Sequence, residues 1–254
     1  MMLTTKALTK NFGGVIALNN VDITIEKGKI ISLIGPNGAG KTTFFNCITG
    51  MYPPTSGKVY FNASSEKNKD IDRLKPMEIA RLGIARTFQN IRLFANMTCF
   101  ENVLVGKICR SKAGLFSTFF TDFSKEKEIS EEVYDLLEFV GLADVANEIS
   151  QNLPYGKQRR LEIARALAIK PQLLLLDEPV AGMNSQEIIE VMDLIKKIQG
   201  KGITVFFIEH DMKMVMNISD KVIVLNYGIK IAEGPPEDIQ KNEKVITAYL
   251  GEER

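Results

Sequence analysis

The stretch Gly35-Pro36-Asn37-Gly38-Ala39-Gly40-Lys41-Thr42-Thr43 limits what this chain can fold into more than any other. An apolar run, Ile30-Ile31-Ser32-Leu33-Ile34, precedes it, and Phe44-Phe45-Asn46-Cys47-Ile48-Thr49-Gly50 follows, so the segment reads as strand, glycine loop and glycine-closed helix. That is a phosphate-binding P-loop. Its glycines let the backbone turn through conformations closed to other residues, and successive N–H groups then converge on phosphate oxygens. The positive end of the following helix favours the same anion, Lys41 brings a full charge to the β- and γ-phosphates, and the Thr42 hydroxyl suits Mg²⁺. Thr43, one residue on, is a further candidate phosphate contact. The sequence therefore predicts that residues 35–43 bind a nucleoside triphosphate.

With 254 residues, the chain has room for one large α/β domain or for a core with a smaller inserted subdomain. A formal net charge of +1 supplies no global field for nucleic acid, so no nucleic-acid partner is expected. No charged n-region followed by an apolar h-region opens the sequence, which argues against secretion. The longest apolar runs, 173–176 and 203–208, fall short of the roughly 18 residues that a membrane helix needs. These features predict a soluble cytoplasmic protein able to dock onto a membrane protein. Cys47, Cys99 and Cys109 are scattered without metal-ligand spacing and read as buried thiols.

Residues 1–28 read as antiparallel strands, with Val21-Asp22-Ile23-Thr24-Ile25-Glu26 alternating apolar and polar. Phe12 stands outside that alternation, before Gly13-Gly14, and is either a loop aromatic free to stack on a base or a core phenylalanine. A turn at 53–57, a short strand at 58–61 and a polar surface loop at 63–70 follow. Pro76 suits the first turn of a helix ending at Gly83, and 84–88 then reads as a buried strand ending in Gln89. Residues 97–150 carry helical signals alone, including an amphipathic helix at 125–140 with Val133, Leu136, Leu137 and Val140 on one face. Within this helical insertion, 115–120 is an aromatic, small-residue stretch that packs internally or meets a partner.

From Lys157 onward helices and strands alternate. A helix at 158–168 leads to Leu173-Leu174-Leu175-Leu176-Asp177-Glu178-Pro179; a second, at 185–198, leads to Ile203-Thr204-Val205-Phe206-Phe207-Ile208 and then Glu209-His210-Asp211. Residues 222–232 read as a hairpin and 245–250 as a closing helix. With the P-loop unit, these βα units make a mostly parallel sheet that binds its ligands at the strand C-termini. Asp177, at such an end, is placed to hold Mg²⁺ through water, and Glu178 to polarise an attacking water as general base. His210, the only histidine, follows a third strand end and joins the candidate catalytic set.

The P-loop, Gln89, Leu153-Pro154-Tyr155-Gly156-Lys157-Gln158, the run 173–178, Ala181-Gly182-Met183-Asn184 and His210 resemble, in order and spacing, the ATP-binding subunit of ABC transporters. The resemblance covers nearly the whole chain. It implies an α/β P-loop NTPase fold with a RecA-like core, an N-terminal antiparallel β subdomain and an inserted helical subdomain. Residues 1–93 and 158–254 form the core with its β subdomain, and 94–157 the helical subdomain bearing the signature loop. It further implies a head-to-tail dimer, in which each ATP lies between the P-loop of one copy and the signature loop, with Gly156, of the other. Phe12 then matches the adenine-stacking aromatic, Gln89 the loop glutamine that couples Mg²⁺ to the membrane subunits, and His210 the switch histidine at the γ-phosphate. The implied partners are two transmembrane permeases, a second related ATPase or another copy of itself, and indirectly a substrate-binding protein. The implied location is the cytoplasmic face of the cell membrane.

A narrower resemblance rests on Asn11-Phe12-Gly13-Gly14, residues 85–94, Leu153-Pro154-Tyr155-Gly156, residues 181–184 and Ala248-Tyr249-Leu250-Gly251. It points to the longer ATPase subunit of branched-chain amino-acid importers, with urea systems, lipopolysaccharide export and a soluble non-transport ABC ATPase as the alternatives. Two positions depart from the general pattern. Pro154 and Tyr155 replace the serine and first glycine of the usual signature, and Asn184 stands where aspartate is common. The lost serine hydroxyl puts in question two efficient sites in a homodimer, although Gly156 keeps its backbone N–H.

Overall fold

The computed structural model describes residues 1–63, 66–110 and 123–250, so the aromatic stretch at 115–120 and the terminal Gly251 lie outside the described residues. Two sheets are present. In the first, β1 (Leu3–Phe12) pairs antiparallel with β2 (Val15–Val21), with the short β3 (Thr24–Ile25) and with β5 (Ser56–Ala63), whose far edge carries β6 (Glu66–Asp70). The second holds six strands in the order β11 (Ile229–Gly234), β10 (Lys221–Asn226), β4 (Ile30–Ile34), β9 (Thr204–Ile208), β8 (Leu173–Asp177) and β7 (Ile84–Arg86). All of these run parallel except β11, which turns back against β10.

The central strands β4, β9 and β8 are almost wholly apolar and fully buried because both of their faces are covered, whereas β11 at the edge is mixed and partly exposed. Leu173, Leu175, Phe206, Ile208, Ile31 and Leu33 point into one buried cluster, whereas Leu174, Leu176, Val205, Phe207, Ile30 and Ile34 point into the other. The period of two along each strand decides the assignment. The first cluster lies between the two sheets and contains Phe44, Phe45, Cys47 and Ile48 of α1 (Lys41–Ile48). The P-loop helix is therefore clamped between the sheets. Ile79 of α2 (Pro76–Leu82) joins the same cluster.

The second cluster receives α5 (Tyr155–Ala168), α6 (Ser185–Gly200) and α7 (Met212–Ile218), and continues into the helical insertion through α3 (Cys99–Arg110) and α4 (Phe123–Phe139). Val133, Leu137 and Val140 are buried there and Leu136 is half-buried, as the amphipathic pattern predicts. Two short helices, α8 (Pro236–Gln240) and α9 (Glu243–Leu250), close the described chain. Among the described residues no helix is long and apolar enough to cross a membrane. Burial raises the Cys47 thiol pKa to about 11 and pushes that of Cys99 in the same direction, which disfavours the thiolate at both.

Three sequence expectations change. Within the segment read as a polar loop, residues 66–70 form the edge strand β6, which pairs with β5, and Lys58 bridges Asp70 at 2.7 Å. An edge strand whose backbone does the pairing needs no apolar period. The alternating 21–26 segment is split, with Val21 ending β2 and only Thr24–Ile25 forming β3. Finally, α5 starts at Tyr155, so a subdomain boundary at 157/158 would cut a continuous helix.

Phe206 sits at the centre of β9 with its ring 5.1 Å from that of Phe45 and 6.2 Å from that of Phe44. Phe206→Ala should destabilise the chain by about 3–5 kcal/mol in urea denaturation, because neighbours clamped between two sheets cannot collapse into the cavity. A loss below about 1 kcal/mol would show that the layer repacks freely.

Candidate active site

Parallel pairing brings four strand ends to one edge of the second sheet. Leu33 of β4 and Asp177 of β8 both register with Ile208 of β9, and Arg86 of β7 registers with Leu175 of β8. The P-loop, the acid pair, the 209–211 turn and the Gln89 loop all leave the sheet from this edge.

The P-loop itself is held by its neighbours. Gly40, the N-cap of α1, has φ +99°, and a Cβ there would lie 2.5 Å from the Ala17 carbonyl oxygen, so only glycine fits. The Gly228 N–H donates to the Ala39 carbonyl at 3.0 Å and anchors the loop to the β10–β11 turn. Lys41 is 7% exposed, and its ammonium donates to the carbonyls of Gly35 at 2.6 Å and Pro36 at 2.8 Å. The charge thus lies against the loop's own backbone. Thr42 is exposed and Thr43 half-buried.

Beside the loop, Asp177 is 3% exposed and Glu178 adopts φ +47°. This left-handed conformation, costly for a side-chain-bearing residue, ends the strand while the Glu178 N–H still donates to the Ile208 carbonyl at 3.0 Å. It lets successive acids do different things. Asp177 Oδ2 accepts from Arg86 Nη2 at 2.7 Å, while Arg86 Nη1 donates to Asn46 Oδ1 at 2.7 Å, tying β8 to α1. Glu178 instead accepts from Gln89 Nε2 at 2.8 Å through Oε2, and its Oε1 lies 3.0 Å from His210 Nε2. An ionised carboxylate only accepts, so the imidazole nitrogen is the donor in that contact. Three residues 121 positions apart in sequence, Gln89 to His210, are one hydrogen-bonded cluster.

Glu209 positions the histidine. It is 4% exposed and accepts from the backbone N–H groups of Val180 at 3.0 Å, His210 at 2.8 Å and Asp211 at 3.2 Å. Burial is the larger influence and pushes its pKa up, against the pull of those donors.

Phe12 is not a core residue. It closes β1, is 43% exposed, and meets Tyr52 edge-on at 5.3 Å, with Lys10 Nζ 4.9 Å above its ring. Pro154 is the N-cap of α5, which puts Tyr155 and Gly156 in the first turn, where helix geometry leaves backbone N–H groups without intrahelical partners. The Glu187 carboxylate of α6 lies beside Gly156, with Oε1 2.6 Å from where a Cβ would stand. Asn184 caps α6, accepting from Gln186 N at 2.9 Å and Glu187 N at 3.0 Å while Glu187 returns the bond to the Asn184 N–H. Asparagine is as good a cap as aspartate, which accounts for that substitution locally.

Sequence reading missed Arg86, Arg159, Glu162 and Glu209. Arg86 was absorbed into an apolar strand, although a cation next to two buried strand ends needs an anion. Arg159 and Glu162 belong to α5, where charges at three-residue spacing among Leu161, Ile163, Ala164 and Leu167 are the available signal.

The model of the family described as ABC transporter matches residues 18–181, and that described as branched-chain amino acid ATP-binding cassette transporter matches residues 230–254. The chain is 45% identical over 255 residues to the high-affinity branched-chain amino acid transport ATP-binding protein LivG of Escherichia coli, covering 99% of this chain and 98% of LivG. It is 46% identical over 257 residues to BraF of Pseudomonas aeruginosa, which bears the same description, again covering 99% and 98%. Among solved structures, the ADP conformation of MJ1267, an ATP-binding cassette of an ABC transporter, matches with a TM-score of 0.86 and 36% identity over 98% of each chain.

The Arg86–Asp177 pair is nearly excluded from water, with side chains 7% and 4% exposed. Arg86→Met should cost about 3–5 kcal/mol of unfolding free energy, since it strands a buried carboxylate, and the double change with Asp177→Leu should recover most of that loss. Equal losses in the single and double variants would refute the pairing.

Proposed function

The chain belongs to the ABC transporter family as an ATP-hydrolysing subunit, and we propose that it powers an importer of branched-chain amino acids through partner permeases. The observation that carries the hydrolytic part is the Gln89–Glu178–His210 cluster at the strand edge that also bears the P-loop. The cargo assignment is supported by the LivG and BraF relatives and by the match over residues 230–254.

In this reading residues 35–43 bind the triphosphate, with Lys41 shifting from its loop carbonyls to the phosphates, and Phe12 stacks on the adenine from its exposed position at the end of β1. The donor set fits a hard divalent cation: the Thr42 hydroxyl, the Asp177 carboxylate and the Gln89 carboxamide all offer oxygens. Bound Mg²⁺ would neutralise charge on the β- and γ-phosphates. Glu178, held from both sides by Gln89 and His210, takes the proton of the attacking water at its carboxylate. His210 keeps that carboxylate oriented through the donor at its Nε2.

The partners in this reading are a second ATPase, either another copy or a related chain, whose signature turn at Gly156 completes each site, and two permeases with an extracytoplasmic binding protein behind them. A groove of about 580 Å³ between the β7 edge and the helical insertion, lined by Met51, Ile79, Phe88, Leu93, Val105 and Ala166, supports docking of an apolar permease segment. Such a protein works on the cytoplasmic face of the cell membrane without spanning it. Urea and lipopolysaccharide systems, and a soluble ABC ATPase, remain the competing assignments.

Glu178→Gln should lower kcat for ATP hydrolysis by about 10²–10⁴-fold while leaving the Kd for ATP within about twofold, as expected for loss of a general base. Near-normal turnover would remove the base assignment. Gentle solubilisation of host membranes and affinity capture of the tagged chain should recover two polytopic permeases, with uptake of leucine, isoleucine and valine lost when the gene is deleted. Capture free of membrane proteins would instead favour the soluble ATPase.

A further inference from the structure

The strongest polar arrangement outside the hydrolytic cluster lies on α5, where it faces the loop that carries Gln89. Arg159 is 0% exposed and Glu162 2%, and Nη1 of the first donates to Oε2 of the second at 2.8 Å. Burying two charges together stabilises little by itself and is often less favourable than an apolar pair of the same size. The other bonds of the pair show what it holds. Arg159 Nη1 also donates to the Phe88 carbonyl at 2.6 Å, and Nη2 to the Gln89 carbonyl at 2.6 Å and the Tyr155 hydroxyl at 3.2 Å. Glu162 Oε1 accepts from the Phe88 N–H at 3.4 Å and the Arg92 N–H at 3.2 Å. One turn further along the same face, Arg165 Nη2 donates to the Arg92 carbonyl.

The last ladder bond on this edge is from the Thr87 N–H to the Leu175 carbonyl at 2.9 Å, and the loop 88–92 that follows β7 finds its partners on α5. The guanidinium and carboxylate replace that ladder. A planar fork with four Nη hydrogens spans two consecutive carbonyls, a carboxylate and a phenol at once, which a single ammonium cannot do. Both polarities of the loop backbone are served, carbonyls by Arg159 and N–H groups by Glu162. Burial pushes the Glu162 pKa up, with Arg159 as the leading opposing influence, so the cation is also what favours the accepting form.

We propose that the buried Arg159–Glu162 pair is a positioning device that fixes the Gln89 loop to the signature helix, so that the Gln89 carboxamide reaches Glu178 only when α5 is seated. Because Tyr155 shares the same guanidinium, the first turn of α5, whose Gly156 would face a partner's nucleotide, and the glutamine at the chain's own hydrolytic cluster are joined through one side chain. The backbone tether rests on geometry within one copy. The link between two sites rests on the dimeric ATPase reading given above.

The test uses the full chain and compares Arg159→Lys, the double variant Arg159→Met/Glu162→Met, Gln89→Ala and the triple combination. The double variant removes both charges together, which avoids a stranded buried carboxylate and keeps apolar volume. Hydrogen exchange followed by mass spectrometry should show the amides of 88–92 exchanging at least about tenfold faster in the double variant, with 30–48 unchanged. Its kcat should fall about tenfold while the Kd for ATP stays within about twofold, and combining it with Gln89→Ala should cost little beyond Gln89→Ala alone, since both act through one carboxamide. Arg159→Lys should restore only part of the loop protection. Wild-type exchange at 88–92 in the double variant, or losses that add fully to that of Gln89→Ala, would overturn the proposal. Failure of the ATPase reading itself shows separately, as a wild-type chain that binds no ATP, with the exchange result still judging the tether.

Discussion

The register of four parallel strands is the constraint on which the rest of the structure depends. Leu33 and Asp177 meet Ile208 from opposite sides, and Ile84 to Arg86 meet Leu173 to Leu175. A slip of one residue anywhere in this ladder would exchange the two apolar faces of that strand and move its terminal acid or loop off the common edge. The alternating assignment of 173–176 and 204–208 to separate buried clusters makes such a slip expensive, because each face is already filled. Packing of residues that never touch a nucleotide thus determines where Asp177, Glu178 and His210 stand.

At that edge Arg86 fastens Asp177 to Asn46 on the P-loop helix, and Glu209 accepts from two backbone N–H groups of the turn that presents His210 and from that of Val180 after β8. Glu178 is bonded instead to the side chains of Gln89 and His210, and its left-handed backbone is what sets it apart from its neighbour. Strain at one residue is sustained because the strand before it and the Ile208 bond beneath it are both fixed.

The parts of this arrangement that were legible in the sequence share one property: their signal is local. The P-loop and the apolar run ending in Asp177-Glu178 each declare themselves within about ten residues, by glycine placement or unbroken apolarity. Phe12 was ambiguous because a lone aromatic before two glycines has no period to place it, and only pairing of β1 through to its end exposes the ring. The edge strand 66–70 was hidden for the opposite reason, since backbone pairing with β5 leaves no trace in a polar sequence. Arg86, Arg159 and Glu209 act across 91, 70 and 29 residues of sequence separation, and no window along the chain contains their partners.

The extra length of α5 changes how the signature departures are understood. Beginning at Tyr155 rather than after it, the helix carries the signature turn, the buried charge pair and an apolar face made of Leu161, Ala164, Leu167 and Ala168 on one rigid rod. Pro154 suits the N-cap, where its missing N–H costs nothing, and Tyr155 supplies the phenol that the usual glycine could not offer to Arg159. The substitutions that remove a serine hydroxyl from the signature therefore add a bond inside the chain. α5 packs into a cluster that joins the helical insertion to the core sheet, and Arg159 ties its first turn to the Gln89 loop. Two ends of the proposed site are in this way tied to a single helix, so a partner that moved α5 would act on both.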